Sequence, residues 1–357
     1  MKSPKMLTTL LVLGALVALS QAPPAATPRT GPGVQATNDA KYPDLIKTCK
    51  VPPPAQGARG GGGKGGPPKG GPPAAAAPKD VTAIPGVIAA GQTWKEIWQV
   101  DGNNADGIIA TKDGGILLAQ NDNSQVVKLD KNGKMSVAYK DLNTSGSVAM
   151  SNKGGALFVV NRGLNQTVEQ LEPKRKMLAN RFNDDPLDCL GGGVLNDITA
   201  DSNGGVYFTK GVVFHADSKG NVTRYGENIN TNGIILAPDE KHLYVTNGTA
   251  LVAFDVQKDG SLTNQHEFAK FEGGGGGDGS TFDAAGRLYV TSTPGVQVFS
   301  PDGKNLGVIP VPRPVISVTI SGADHKTLYA VSRDNALNKD WIIGIQLLAQ
   351  GPKGRGK

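Results

Sequence analysis

The chain has 357 residues, 38% of them hydrophobic and 19% charged, with a net charge of +6 and two cysteines. The charge is uneven: residues 1–80 hold ten Lys/Arg against three Asp/Glu and 351–357 hold three more basic residues, so 81–350 keeps 24 basic and 28 acidic residues, net −4. That balance excludes a nucleic-acid groove, which needs its basic residues on the folded domain itself, and two cysteines alone make no metal site.

In chain order, "MKSPK" is basic, "MLTTLLVLGALVAL" is apolar and "SQA" is small. Residues 1–22 therefore read as a secretory signal peptide, too short and wrongly flanked for a spanning helix. No other stretch is apolar enough to cross a membrane, so a secreted or periplasmic protein is expected, as a monomer. Residues 23–80 form a Pro/Gly/Ala-rich arm whose core, "VPPPAQGARGGGGKGGPPKGGPPAAAAPK", has too little apolar surface to fold and reads as a disordered, flexible spacer. Within it, "NDAKYPDLIKTC" (38–49) is a candidate ordered piece that docks elsewhere. Export permits a disulfide between Cys49 and Cys189, which would pin the arm to the domain; sequence leaves bridged and unbridged forms both open. Residues 351–357 are a basic tail.

From residue 81 to 350 one pattern recurs, a polar or Gly-containing turn followed by an apolar strand. Its copies are "GGILLAQ" (114–120), "GGALFVV" (154–160), "GGVYFTK" (204–210), "KHLYVTN" (241–247), "GRLYVTS" (286–292) and "KTLYAVS" (326–332). Six copies about 40–45 residues apart match the period of propeller blades, each a four-stranded antiparallel sheet. Hairpins with Asn-Gly, Asp-Gly or Lys-Gly turns supply the further strands, and no helical periodicity appears. The fold expected is all-β, a six-bladed β-propeller. Its last strand, "WIIGIQLL" (341–348), and its first, "KEIWQV" (95–100), are placed to share one sheet and close the ring.

Stepping back ten or eleven residues from the first large apolar residue of each copy gives Asp106, Gly146, Asn196, Asn232, Asp278 and Ser317. Residues in one phase converge at one mouth of a propeller's central channel. Four Asp/Asn oxygens around one axis describe a hard-cation site. The competing reading is local: Asp106-Gly107, Asn232-Gly233 and Asp278-Gly279 are common turn pairs, like those at Asp113, Asn132, Asp259 and Asp302. Their shared phase favours the site.

At "LNDITADSNGGVYFT", "TNGIILAPDEKHLYVTN" and "GDGSTFDAAGRLYVTS" the sequence resembles the SMP-30/gluconolactonase/luciferin-regenerating-enzyme family of six-bladed propellers. The resemblance implies a divalent metal, Ca²⁺ foremost with Mg²⁺, Mn²⁺ or Zn²⁺ as alternatives, held by Asp106, Asn232 and Asp278, with Asn196 contacting metal or substrate. It also implies opening of a sugar or related lactone to the hydroxy acid. In that chemistry the metal polarises the carbonyl and activates a water, Asp278 is the general base and Asn196 orients the substrate. Three positions depart from the family: Asp106 stands where Glu is usual, Lys210 follows "YFT" where Asp is frequent, and Asn247 follows "YVT". Lys210 near the site would favour a carboxylated substrate. No Gly-x-Ser-x-Gly is present, so a nucleophile elbow has no support; His215 is a minor candidate base. The alternative function is a non-catalytic propeller binding a ligand or protein around a structural Ca²⁺.

Overall fold

The computed structural model describes residues 33–53, 80–152 and 155–352. The expected signal peptide, most of the arm and most of the basic tail lie outside the described residues. Six four-stranded antiparallel sheets make the blades of a propeller. Their innermost strands are Ile108–Ala110, Ser145–Met150, Ile198–Ala200, Thr231–Leu236, Gly277–Phe282 and Val315–Ser321, for blades one to six. Blade six is completed by the first strand of the domain: Lys95–Asp101 pairs antiparallel with Lys339–Gln346, Trp98 opposite Ile342. The ring closes as the sequence suggests, with the first strand of the domain completing the outer edge of the last blade.

The second strand of each blade explains why the repeat reads as an unbroken apolar run. In Leu157–Asn161 all five residues are buried, as they are in Ile116–Gln120 and Val206–Lys210. Alternate side chains face opposite neighbours. Leu157 and Val159 pack with Ile109 and Leu117 of blade one, whereas Phe158 and Val160 pack with Ile198, Val206 and Phe208 of blade three. The core is thus six clusters, each shared by two adjacent blades, and no blade buries its apolar faces alone.

Two segments that precede the blades pack onto them. Residues 80–94 pack Val81, Ile84, Val87 and Ile88 onto blades five and six, and Trp94 Nε1 donates to the Pro310 carbonyl at 2.7 Å. Residues 33–53, inside the stretch expected to be flexible, form a strap with a 3-10 turn, Ala36–Asn38, and one short α-helix, Tyr42–Ile46. A disulfide joins Cys49 to Cys189 with Cα atoms 5.6 Å apart. The docked piece suggested at 38–49 is therefore present, and the strap reaches further, to Gly33. Gly33 N–H donates to Asp122 O at 2.6 Å and Ala36 N–H to Arg162 O at 2.7 Å. Among the described residues no helix is long and apolar enough to cross a membrane.

Candidate active site in the central channel

The four oxygen-bearing ring residues sit at the starts of four inner strands, and the backbone there is specialised. In blades two, four, five and six the pairing between inner and second strand slips at the ring position, between Ser145 and Ser147, Thr231 and Ile234, Gly277 and Ser280, and Val315 and Ser317. Such a bulge re-aims a side chain that strict alternation would send into the sheet. The threonines of "YFT" and "YVT" lock this backbone. Thr209 Oγ1 donates to Asn232 O at 2.6 Å and accepts from Asp197 N at 3.1 Å, Thr246 Oγ1 accepts from Gly233 N at 2.8 Å, and Thr291 Oγ1 donates to Gly279 O at 3.1 Å.

The glycines separate the two readings of the Asp-Gly and Asn-Gly pairs. Gly114, Gly133, Gly260 and Gly303, after Asp113, Asn132, Asp259 and Asp302, have φ between 82° and 85° and are turn glycines. Gly107, Gly233 and Gly279 are absent from the left-handed region and are required for closeness instead. A Cβ would lie 2.1 Å from Ser147 Oγ at Gly107, 2.1 Å from Asp278 O at Gly233, and 2.8 Å from Ser317 Cα at Gly279. Each contact is to the neighbouring blade around the channel, so these glycines let the inner strands converge.

Two arginines complete the ring. Arg162, buried at 5% exposure, follows the second strand of blade two. Its Nη1 donates to Asp106 Oδ2 at 2.6 Å, its Nη2 to Asn196 O at 2.6 Å and Asn196 Oδ1 at 3.2 Å, and its Nε to Leu195 O at 2.8 Å. Asn121 Nδ2 adds a second donor to Asp106 Oδ2 at 3.2 Å. Asn196 Nδ2 donates in turn to Asn232 Oδ1. On the other side Arg333, at the equivalent place in blade six, is held by Asp340 through Nε at 2.9 Å and donates Nη2 to Ala105 O at 2.7 Å. Its Nη1 lies 4.0 Å from Asp106 Oδ2. Burial works against charge on Arg333, but the carboxylates of Asp106, Asp340 and Asp278 outweigh it and hold the guanidinium above its ordinary value. One residue per blade, Asp106, Arg162, Asn196, Asn232, Asp278 and Arg333, thus makes a polar ring, linked by hydrogen bonds from Asp106 through Arg162 and Asn196 to Asn232 and by charge from Arg333 to Asp106 and Asp278.

Arg162 fills a space made for it. The ring position of blade two is Gly146, where a Cβ would lie 2.0 Å from Arg162 Nε and 2.5 Å from its Cζ. The arginine takes the volume that the Asp or Asn of other blades occupies. Sequence reasoning looked only upstream of each strand and missed both arginines. The signal was downstream: "NRG" (161–163) and "SRD" (332–334) end the second strands of the two blades that the sequence phase filled with Gly146 and Ser317, the latter one residue off, since the strand register sets Ile316 at the ring position of blade six. The two backbones are equivalent, since Arg162 N–H donates to Thr144 O and Arg333 N–H to Pro314 O.

The donor set can be tested against the divalent ion that the resemblance implies. By element type it suits a hard cation, with two carboxylates and two amide oxygens. By charge it does not. Asp106 is paired to a buried guanidinium, the side-chain oxygens of Asn196 and Asn232 already accept hydrogen bonds, and two guanidiniums face the two carboxylates. A divalent ion roughly 5 Å from one guanidinium would be repelled by about 7 kcal/mol at an effective dielectric constant of about 20, which cancels the attraction of one carboxylate at the same distance. The residues as arranged do not fit a tightly held divalent ion.

The remaining expected participants lie elsewhere. Asp197, the neighbour of Asn196, is structural: it accepts from Ser147 Oγ at 2.7 Å, Ile198 N at 2.9 Å and Ile234 N at 3.0 Å, joining blades two, three and four. Lys210, only 1% exposed, donates to Gln166 Oε1 and the Gly193 carbonyl rather than facing a substrate. His215 pairs with Asp201 Oδ2 at 2.9 Å and stacks on Tyr207. Asp201 is five residues along blade three from Asn196, about 16 Å at strand rise, so His215 is no base for this mouth.

The comparisons agree with this architecture. A gluconolactonase from Zymomonas mobilis is 34% identical over 89 residues, which span 22% of this chain and 25% of that protein. A gluconolactonase from Xanthomonas campestris superposes with a TM-score of 0.61 at 18% identity, covering 76% of this chain and 95% of its own. Regucalcin from Agrobacterium tumefaciens, described as a calcium-binding protein, superposes with a TM-score of 0.58 at 17% identity, covering 74% and 98%. The family model for the SMP-30/Gluconolactonase/LRE-like region matches residues 136–334. With its six blades and more than half its length in that match, the chain belongs to the SMP-30/gluconolactonase/LRE-like family.

Proposed function

We propose that this protein is an exported lactonase that hydrolyses a sugar or related lactone to its hydroxy acid in the central channel. The observation that carries the reading is the convergence of Asp106, Asn196, Asn232 and Asp278 on one mouth in a chain of this family. Asp278 is the general base: its carboxylate takes a proton from the attacking water and returns it to the ring oxygen as the lactone opens. Asn196, anchored through Arg162, orients the substrate. Asp106 pairs with Arg162, which two backbone carbonyls also hold. Export is supported by the Cys49–Cys189 bridge, which belongs to an oxidising compartment, together with the apolar leader at 1–22.

The metal-dependent form of this reading makes Asp106, Asn196, Asn232 and Asp278 the ligands of Ca²⁺ or of Mg²⁺, Mn²⁺ or Zn²⁺. The hard-oxygen donor set and the description of the regucalcin neighbour as calcium-binding support it. The arginines that already occupy those donors stand against it, so no step above passes through a metal. A second reading, a non-catalytic binding propeller, is favoured by one observation: most of the ring's polar atoms are already satisfied within the ring. The deciding experiment is acid release from a panel of γ- and δ-lactones by the full chain, with Asp278→Asn alongside. Turnover lost by at least about 100-fold in the variant, the usual size of a general-base contribution, is expected. No turnover on any lactone, with or without added metal, would leave the binding-module reading.

A further inference from the structure

Resting on the lactonase reading, we infer that the positive charge of this channel is supplied by Arg162 and Arg333 in place of a divalent cation, and that Arg333 Nη1 receives the lactone carbonyl oxygen. Three observations carry this. Arg162 is built in, because Gly146 leaves the space its guanidinium needs and two backbone carbonyls, Leu195 O and Asn196 O, hold it there independently of Asp106. The count matches, because two guanidiniums supply the two positive charges that a divalent ion would bring to Asp106 and Asp278. The two arginines are not alike. Arg162 has all three guanidinium nitrogens hydrogen-bonded and is buried, whereas Arg333 has a side chain 20% exposed and turns Nη1 toward Asp106 at 4.0 Å, beyond hydrogen-bond length.

That difference assigns the roles. Arg162 is a positioning residue that neutralises Asp106 and fixes Asn196. Arg333 is the electrophile. A lactone carbonyl oxygen between Arg333 Nη1 and the mouth accepts its N–H, in the manner of an oxyanion hole. Water attacks the carbonyl carbon while Asp278 takes its proton, and the oxygen becomes the tetrahedral oxyanion at Arg333. The oxyanion re-forms C=O, the ring C–O bond breaks, and the proton passes from Asp278 to the departing alkoxide. Asp340 keeps the guanidinium aimed, accepting from Nε and Nη2 while also accepting the Asn104 and Ala105 N–H groups at 2.9 and 2.7 Å.

The test uses the full chain after exhaustive chelation, with Ca²⁺ as the probe. Calorimetric titration with Ca²⁺ up to millimolar concentration is expected to show no binding by the parent protein. Arg162→Gln, which removes the resident cation and keeps a donor for Leu195 O, is expected to gain a site. Lactone hydrolysis should continue in chelator within about twofold. Arg333→Gln should lower kcat at least about 100-fold, the size expected for an oxyanion donor, and Arg333→Lys should recover part of it. Stoichiometric Ca²⁺ binding by the parent overturns the inference, whether or not any lactone is turned over. Hydrolysis abolished by chelation and restored by Ca²⁺ overturns it too while leaving the lactonase reading intact. Turnover that Arg333→Gln leaves unchanged overturns the assignment of the electrophile.

Discussion

Gly146→Ala is the substitution that most directly probes the architecture of the ring. An alanine Cβ would stand 2.0 Å from Arg162 Nε, 2.5 Å from Cζ and 2.6 Å from Cδ. None of these separations is a permissible contact, so the guanidinium must leave. Its departure strips Asp106 of its 2.6 Å partner and unhooks Leu195 O and Asn196 O. Breaking a buried ion pair by losing one partner costs about 3–5 kcal/mol. At roughly 2–4 °C per kcal/mol for a domain of this size, Tm should fall by about 6–20 °C in a thermal melt. The sharper measurement is a cycle with Arg162→Ala. Each single variant should cost most of that amount, and the double variant no more than either, because with the arginine truncated the new methyl has room. A Gly146→Ala protein melting within about 1 °C of the parent, or losses that simply add, would refute the claim that Arg162 occupies this space.

Asp197→Ala removes a carboxylate whose two oxygens accept three hydrogen bonds joining blades two, three and four; at about 1–3 kcal/mol for each buried donor left unpaired, a loss of at least about 3 kcal/mol in denaturant unfolding is expected. Cys49→Ser with Cys189→Ser opens a loop of 140 residues, worth about 5 kcal/mol at most in the chain-entropy model, and hydrogen exchange should rise across 33–50. Asp113 is held down to about 2 by hydrogen bonds from Lys128 and Thr111. Its contribution is therefore complete above the unfolded value near 3.8 and is lost as pH falls toward 2. The Lys128 pair is half exposed, so Asp113→Asn should flatten the acid limb of stability only slightly.

The architecture was legible because it is written redundantly. Six copies of one turn-and-strand signal, each with apolar residues on both faces, leave little besides a closed ring of sheets. The phase of Asp106, Asn196, Asn232 and Asp278 was readable for the same reason: a repeat converts position in sequence into position around an axis. What sequence could not separate was the purpose of each glycine. Gly114 and Gly107 follow aspartates alike, yet one needs a left-handed backbone and the other a close neighbour, and only the packing of Ser147 reveals the second. Lys210 misled because a cation two residues beyond "YF" can be directed to either side of a strand end. Here Gln166 and Gly193, brought in by the blade-two hairpin and the blade-three approach loop respectively, capture it.

The arginines show why a repeat hides its exceptions. Gly146 and Ser317 look like blades that contribute nothing to the ring. In space blade two is emptied at Gly146, and blade six sets the apolar Ile316 at the same register, so that in both the next strand contributes the polar group instead. Substitution of a large polar side chain from the second strand for a short one from the first keeps one polar residue per blade while changing what the ring carries. Two carboxylates on one channel mouth, with a single blade between them, would need a cation nearby to be tolerated at low dielectric. Two guanidiniums anchored on carbonyl groups and on Asp340 make that cation part of the chain. The charge is then present from the moment the ring closes, and cannot be removed by a chelator. The specificity of such a site rests on the direction of one partly exposed nitrogen, Arg333 Nη1, rather than on the coordination preferences of an ion.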